Sequence, residues 1–564
     1  DELMSVISMD QPAVGVKSPV RIRPVVGVDG TVPAVNDPRH WSAHLPDGAP
    51  EGFDLPRPGT LVGAWTAALS VESDRHLLWG PVDGGPHRWV SRGEFLDRTG
   101  RLAGRLAGAG LMAGERVLLS GPSTVDLAVA HVACLRLGLV VVPTNGSYRD
   151  AELAHVISDC APRAALVDHD GWADLLSGLD PDLLVTSVID PFPDGLVDGL
   201  SDGLPAGLMD GSRPDDPAII GYTSGTTGRP KGAVLTQVNL LAGAQSVLVA
   251  WRWTEADRLV LCLPLFHMHG LGVGLHGTLL AGASAVLQPG FAPDGVLDAL
   301  DEHDATMFFG VPTMYHRLAE HDRVDRLGGL RLCVAGSAPL AADLHGRLAD
   351  RAGVSVLERY GMTETVMLVS NPFDGDRRPG AVGIPLPGVD VRLADGSEGE
   401  GGPAGPVGEI LVRGPNVFAG YWDRPDATAE AFVDDPDGGV PWFRTGDLGA
   451  VDNDGYLSIV GRAKELIISG GFNVYPREVD DALGLHPAVA EVAVAGVASP
   501  EWGEEVVAWI VVADGYDCPE ADELRAFARE HLASYKLPRR VVAVDALPRN
   551  ALGKVTRHEL RLPD

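Results

Sequence analysis

Tyr222-Thr-Ser-Gly-Thr-Thr-Gly-Arg-Pro-Lys-Gly-Ala-Val-Leu-Thr236 is the stretch around which the chain is organised. The apolar run Ala218-Ile-Ile-Gly-Tyr222 leads into it and reads as a buried strand. Hydroxyl residues (Thr223, Ser224, Thr226, Thr227), glycines (Gly225, Gly228, Gly232) and Lys231 then follow in close order. Glycine lets backbone N–H groups turn toward an anion, hydroxyls add donors, and the ammonium adds a point charge. That combination fits a polyphosphate. It is not a Walker loop, which needs Gly-Lys-Ser/Thr after four spacers, because Lys231 follows Arg229-Pro230 and precedes Gly232.

Outward from this loop, apolar strand-like runs alternate with helical spacing. Helices are expected at 93–111, 125–139, 151–158 and 238–250, with another near 271–280. Strands are expected at 116–121, 140–143, 163–167, 258–262, 284–287, 306–309 and 331–334. Such alternation implies parallel sheets covered on both faces, an α/β fold. Residues 184–217 read as an acidic loop. From about residue 390 the texture changes to short strands and turns, including 389–393 and 407–413. A new unit after Arg462 combines strands at 489–496 and 505–513 with helices at 477–485 and 521–532. Residues 1–60, rich in Pro, Asp and Gly, read as an extended leader.

At 564 residues the chain is too long for one core. Apolar residues make up 45% and charged residues 22%, an ordinary globular composition. A net charge of −32 argues against nucleic acid and anionic membranes as partners, so an anionic substrate needs locally placed cations. Lys17, Lys231, Lys464, Lys536 and Lys554 are the lysines, and arginine supplies the rest of the 45 basic residues. The five scattered cysteines show no metal-ligand spacing and fit buried thiols in a reducing cytoplasm. Neither a signal peptide nor a membrane span is expected.

The segment from Tyr222 to Lys231 resembles the phosphate loop of the acyl-adenylate-forming enzymes, which comprise acyl-CoA synthetases, adenylation domains and beetle luciferases. The resemblance extends to Glu358-Arg-Tyr-Gly-Met-Thr-Glu364, Ala335-Gly-Ser-Ala-Pro339, Arg444-Thr-Gly-Asp447, Gly461-Arg462 and Leu547-Pro-Arg-Asn-Ala-Leu-Gly-Lys554. It implies a large N-terminal domain (61–462) of parallel α/β sheets with a small β-barrel-like part. A small mobile α+β C-terminal domain (463–564) follows.

By the same resemblance, ATP is held by the phosphate loop (Thr223 to Gly228, and Lys231), by Ala335, Gly336 and Ser337, and by Glu358, Tyr360, Gly361, Met362 and Thr363. Asp447 and Arg462 serve the ribose, Glu364 binds Mg²⁺, and Gly470 and Gly471 line the tunnel for CoA. Lys554 is the catalytic lysine, joined by Thr223, Lys231 and Glu364, and Lys464 is the hinge. A hard divalent ion beside ATP takes one or two carboxylates and leaves its other positions to phosphate and water, which suits Glu364. A compact lysine ammonium suits charge growing on oxygen during in-line displacement.

Phe309-Gly-Val-Pro-Thr-Met-Tyr-His-Arg317, Glu358–Thr365 and Pro385-Leu-Pro-Gly-Val389 are similar to malonyl-CoA synthetases. That similarity implies that Arg317 and Arg359 receive the distal carboxylate of malonate or methylmalonate, with His267 bordering the acyl pocket. Guanidinium matches a carboxylate bidentately, so a second carboxylate is a good reason for buried arginine. Other enzymes of this scaffold act on aryl acids, load carrier proteins or activate nitrite. Those alternatives stay open here. Pro264-Leu-Phe-His lacks the aspartate that an amino-acid substrate requires at this point.

Overall fold

The structure, a computed structural model, describes residues 41–45, 59–169, 171–191, 209–223, 230–394, 407–435, 438–469, 472–499, 501–549 and 554–563. Two helices explain its centre. Every residue of Val125–Arg136 is buried, and so are nearly all residues of Gln237–Ala250. Helices apolar on all sides must be covered on all sides, and here two sheets cover them. Thr124 and Thr236 cap these helices by accepting from the backbone N–H groups of Leu127 and Asn239.

One sheet has seven strands, in the order 420–421, 231–236, 217–223, 140–143, 116–120, 164–167, 184–186. The other has nine and is parallel through 357–360, 332–335, 307–310, 258–261, 284–287 and 76–81. Antiparallel strands finish each sheet: Lys231–Thr236 pairs with Pro217–Thr223, and His87–Ser91 with His76–Pro81. A continuous core from Val117 and Val141 through Leu240 to Leu261 and Phe309 joins the sheets across the helices.

The part expected to resemble a barrel is a five-stranded antiparallel sheet built on Trp442–Val451. Beyond Arg462 a second five-stranded sheet and the helices Pro476–Leu483 and Ala521–Ala528 enclose apolar clusters of their own.

Several expectations are corrected. The strand Lys231–Thr236 was not expected, because its run of small residues after Pro230 carries no alternation; it pairs antiparallel with Pro217–Thr223, so the two ends of the phosphate-loop segment are held side by side at Thr223 and Lys231. The stretch expected as an α-helix at 271–280 begins as a π-helix, His269–Leu275, and only then becomes the α-helix His276–Ala281. Gly272 and Gly274 permit this packing, since a Cβ on either would press on Val366 or Leu261. The expected loop 184–217 opens with the strand Leu184–Thr186. Cys134, Cys160, Cys262 and Cys333 are buried, but Cys518 is exposed.

Within the expected leader, Trp41 and His44 are buried; the His44 ring bonds the Ile384 carbonyl (3.3 Å) and its own carbonyl accepts from Arg252. Most of residues 1–58 lie outside the described residues. Among those described, no helix is long and apolar enough to cross a membrane, and no group of three or more His, Cys, Asp or Glu is arranged to hold a metal.

Candidate active site

The base of the loop hairpin is set by the antiparallel partners Thr223 and Lys231, with Thr223 Oγ1 donating to the Lys231 carbonyl (3.4 Å). Ser224, Gly225, Thr226, Thr227 and Gly228 lie outside the described residues. The Lys231 ammonium stands 5.1 Å from the ring centre of Tyr421, whose hydroxyl donates to Glu364 Oε1 (3.1 Å). Tyr421, which the motifs did not single out, therefore joins the expected phosphate cation to the expected metal carboxylate. It is brought there by pairing with Ala233 on the second strand of the hairpin.

Thr363 packs on Gly221, where a Cβ would lie 2.5 Å from the Thr363 methyl carbon. Only glycine allows this close approach of the two motifs. Gly361 is equally confined, by the Val366 carbonyl, and Met362 packs against the central core. Val366 itself sits at φ 58°, a left-handed conformation that a β-branched residue tolerates only under constraint. The constraint is Asn416, a buried amide donating to the carbonyls of Thr365 (2.9 Å) and Met367 (2.7 Å). The strained turn aims Glu364, whose carboxylate is buried and shifted upward by that burial. A buried carboxylate beside the loop fits one ligand position of Mg²⁺, whose charge would favour its ionised form.

Asp447 and Arg462 are direct cross-strand partners, which explains their sequence separation. Arg462 Nε lies 2.6 Å from Asp447 Oδ1, and the Tyr360 hydroxyl donates to the other carboxylate oxygen. Burial raises the Asp447 pKa, with Arg462 opposing the rise. Glu358, expected at the nucleotide, has a buried carboxylate that accepts from the backbone N–H groups of Leu340 (3.3 Å) and Gly380 (3.0 Å). It braces the segment following Ala335, Gly336 and Ser337, and its burial lifts its pKa to about 6.

Lys554 reaches this cluster from the C-terminal unit. Arg549 pairs with Val555, and Val555, Leu547 and Leu560 pack with Trp509, which fixes the flanks of its loop. The charges of Arg462, Asp447 and Arg359 all bear on its ammonium, and desolvation, the largest cause, lowers its pKa to about 8. Lys464 is exposed in the turn Ala463–Glu465 directly after Arg462. Gly470 and Gly471 fall outside the described residues.

The two arginines differ sharply. Arg359 is 6% exposed, and among the described residues its Nε and Nη2 have no hydrogen-bond partner. Its guanidinium crosses Gly336, where a Cβ would overlap Cζ and Nε. His267 lies in the same field, its pKa driven down to about 3 by burial and then by Lys554 and Arg359. Arg317 is exposed, with its guanidinium 5.1 Å from the centre of Phe291, and does not share the buried setting of Arg359. Two nearby carboxylates are taken up elsewhere: Glu320 pairs with Arg347, and Glu358 accepts from backbone amides.

Residues 66–422 match the AMP-binding enzyme family, and residues 478–554 match the AMP-binding enzyme C-terminal domain. The chain belongs to the AMP-binding enzyme family. A feruloyl-CoA synthase from an Amycolatopsis species is 40% identical over 478 residues, covering 83% of this chain and 92% of that protein. ATP-bound MatB from Rhodopseudomonas palustris superposes with a TM-score of 0.79 at 39% identity, covering 88% of this chain and 97% of the other. A malonyl-CoA ligase with methylmalonyl-CoA and AMP bound is 41% identical, with a TM-score of 0.60 over 86% of this chain and 99% of that one. Other relatives at 34–37% identity are a sulfoacetate–CoA ligase from Cupriavidus necator and oxalate– and malonate–CoA ligases from Arabidopsis thaliana. This AMP-binding enzyme is therefore an AMP-forming, ATP-dependent acid–CoA ligase.

Proposed function

We propose that this ligase activates a short carboxylic acid bearing a second anionic group, with malonate or methylmalonate as the substrate. The observation that carries this reading is the buried guanidinium of Arg359, whose Nε and Nη2 have no hydrogen-bond partner among the described residues and whose charge bears on Lys554. A buried charge without a counterion is costly unless a ligand supplies one, and a remote carboxylate is a bidentate match. In this reading Arg359, the buried one of the two expected arginines, is the main receptor. An aryl acid is the second reading, favoured by the 40% identity to a feruloyl-CoA synthase, but its uncharged ring leaves Arg359 unanswered.

In the first half-reaction a carboxylate oxygen attacks the α-phosphorus, the bond to the bridging oxygen breaks, and pyrophosphate leaves. Lys554 is placed to stabilise charge on the reacting oxygens, the loop and Lys231 hold the departing pyrophosphate, and Asp447 exchanges its Tyr360 contact for the ribose. Mg²⁺, held in part by Glu364, would supply further charge neutralisation when bound. In the second half-reaction the CoA thiolate attacks the acyl carbon and the bond to AMP breaks; the turn at Lys464 is the proposed hinge between the two.

Pyrophosphate release measured with malonate, methylmalonate, sulfoacetate, butyrate, ferulate and nitrite tests the reading. Release greatest with malonate or methylmalonate is expected; release greatest with butyrate or ferulate overturns it. Gly336→Ala is expected to raise the KM for malonate about tenfold by displacing the Arg359 guanidinium. An unchanged KM would mean that Arg359 is not where the acid binds.

A further inference from the structure

Both ends of the phosphate-loop segment are bonded to one helix, Asp150–Cys160. Its residues Leu153, Val156 and Ile157 pack with Val142, Ile220 and Val234 of the seven-stranded sheet. His155 and Asp159 stand four residues apart, so they share one side of the helix. Each meets a different end of the loop. The Tyr222 hydroxyl, one residue before Thr223, donates to Asp159 Oδ2 (2.8 Å). His155 Nε2 lies 2.8 Å from the carbonyl oxygen of Pro230, one residue before Lys231. A carbonyl only accepts, so this nitrogen carries the hydrogen and the imidazole is the donor. The His155 and Tyr222 rings also meet edge to face, with centroids 6.1 Å apart.

The same carboxylate reaches a third segment. The Asp159 side chain is 6% exposed, and its other oxygen accepts from the Arg424 guanidinium. The Arg424 backbone N–H in turn donates to the carbonyl of Tyr421 (3.2 Å), whose ring and hydroxyl meet Lys231 and Glu364. One neutral and one charged donor satisfy the buried carboxylate and fix the two segments that carry them. The strand ladder ending at Thr223 and Lys231 sets how far apart the two ends of the loop lie. The helix sets where that pair stands relative to Glu364.

We propose that His155 and Asp159 are positioning residues for the pyrophosphate end of ATP. Acting through Pro230, Tyr222 and Arg424, they hold Lys231 and the two ends of the phosphate loop in register with Glu364. This rests on the reading above that the loop and Lys231 hold the departing pyrophosphate. A cation and a metal carboxylate that must meet one polyphosphate need a fixed separation, because small displacements of a binding group are costly in rate. Arg359 and the acid lie outside this clamp. Its loss should therefore weaken the polyphosphate and leave recognition of the acid intact.

The test measures KM for ATP, KM for malonate and the inhibition constant of added pyrophosphate in wild type, His155→Phe, His155→Gln and Lys231→Ala. Phenylalanine keeps a ring against Tyr222 and removes the donor; glutamine returns a donor at similar reach. H155F is expected to raise KM for ATP and the pyrophosphate constant about tenfold, the worth of one hydrogen bond. KM for malonate should stay within about twofold, and H155Q should recover most of the loss. Asp159→Ala should behave like H155F, and adding Tyr222→Phe to it should cost nothing further, since both remove one bond. A double variant whose loss is the product of the two single losses overturns the assignment of Asp159. If K231A leaves both ATP and pyrophosphate constants unchanged, the reading of the loop fails and this inference with it. If K231A weakens both while H155F lowers only the thermal midpoint, His155 is merely structural and the inference alone is overturned. Should H155F lack a native thermal transition, His155→Leu makes the same comparison.

Discussion

Replacing Lys554 with alanine is expected to slow acyl-adenylate formation by about 10²- to 10³-fold, the usual consequence of removing one preorganised donor from a developing oxyanion. Thioester formation from supplied acyl-AMP follows a different set of contacts and is expected to change by less than about tenfold. The structure adds a pH dependence. Desolvation, helped by Arg462 and Arg359, holds the Lys554 pKa at about 8. The protonated ammonium is the active form, so kcat/KM for pyrophosphate release is expected to be level below about pH 8 and to fall about tenfold per unit above it. Lys554→Arg, whose charge persists at high pH, should be slower but flat over that range. A wild-type profile level to about pH 10 would show that the ammonium is not needed in the rate-determining step.

The reaction class was legible in the sequence because its residues come as short contiguous motifs, and such motifs survive as local geometry. Asp447 and Arg462 show why spacing carried information: they are opposite each other on a hairpin, and a hairpin of fixed length keeps them so. The scarcity of lysine likewise pointed to Lys231, which stands over the Tyr421 ring, and to Lys554, which feels the charges of Arg462 and Asp447. Tyr421 and Asn416 were not legible. Each acts on a residue far away in the chain, and no pattern local to Tyr421 announces that it will touch both Lys231 and Glu364. Glu358 lies inside a ligand-binding motif, and no local pattern announces that its side chain holds the backbone at Leu340 and Gly380. The helical spacing of residues 271–280 hid a π-helix, since period alone does not separate the two when glycines remove the side-chain constraints.

Arg359→Met is expected to produce opposite changes in function and stability. Preference for malonate should be lost, with KM rising at least about 100-fold, because the second carboxylate would then be buried without a cation. The free protein should gain about 1–3 kcal/mol of stability in denaturant unfolding. The reason is that Arg359 is 6% exposed and two of its nitrogens have no partner among the described residues. Burial lowers its pKa to about 9, which still leaves it charged at neutral pH, so the folded protein retains an uncompensated charge. Methionine fills a similar volume with flexible apolar atoms and removes that charge. The same argument predicts what malonate does by itself. At about 100 times its dissociation constant it should stabilise the wild type by roughly 2.7 kcal/mol and leave R359M nearly unchanged. Were R359M instead to lose stability, the guanidinium would be a structural element of the central sheets, and the remote anion of the acid would have to be received elsewhere.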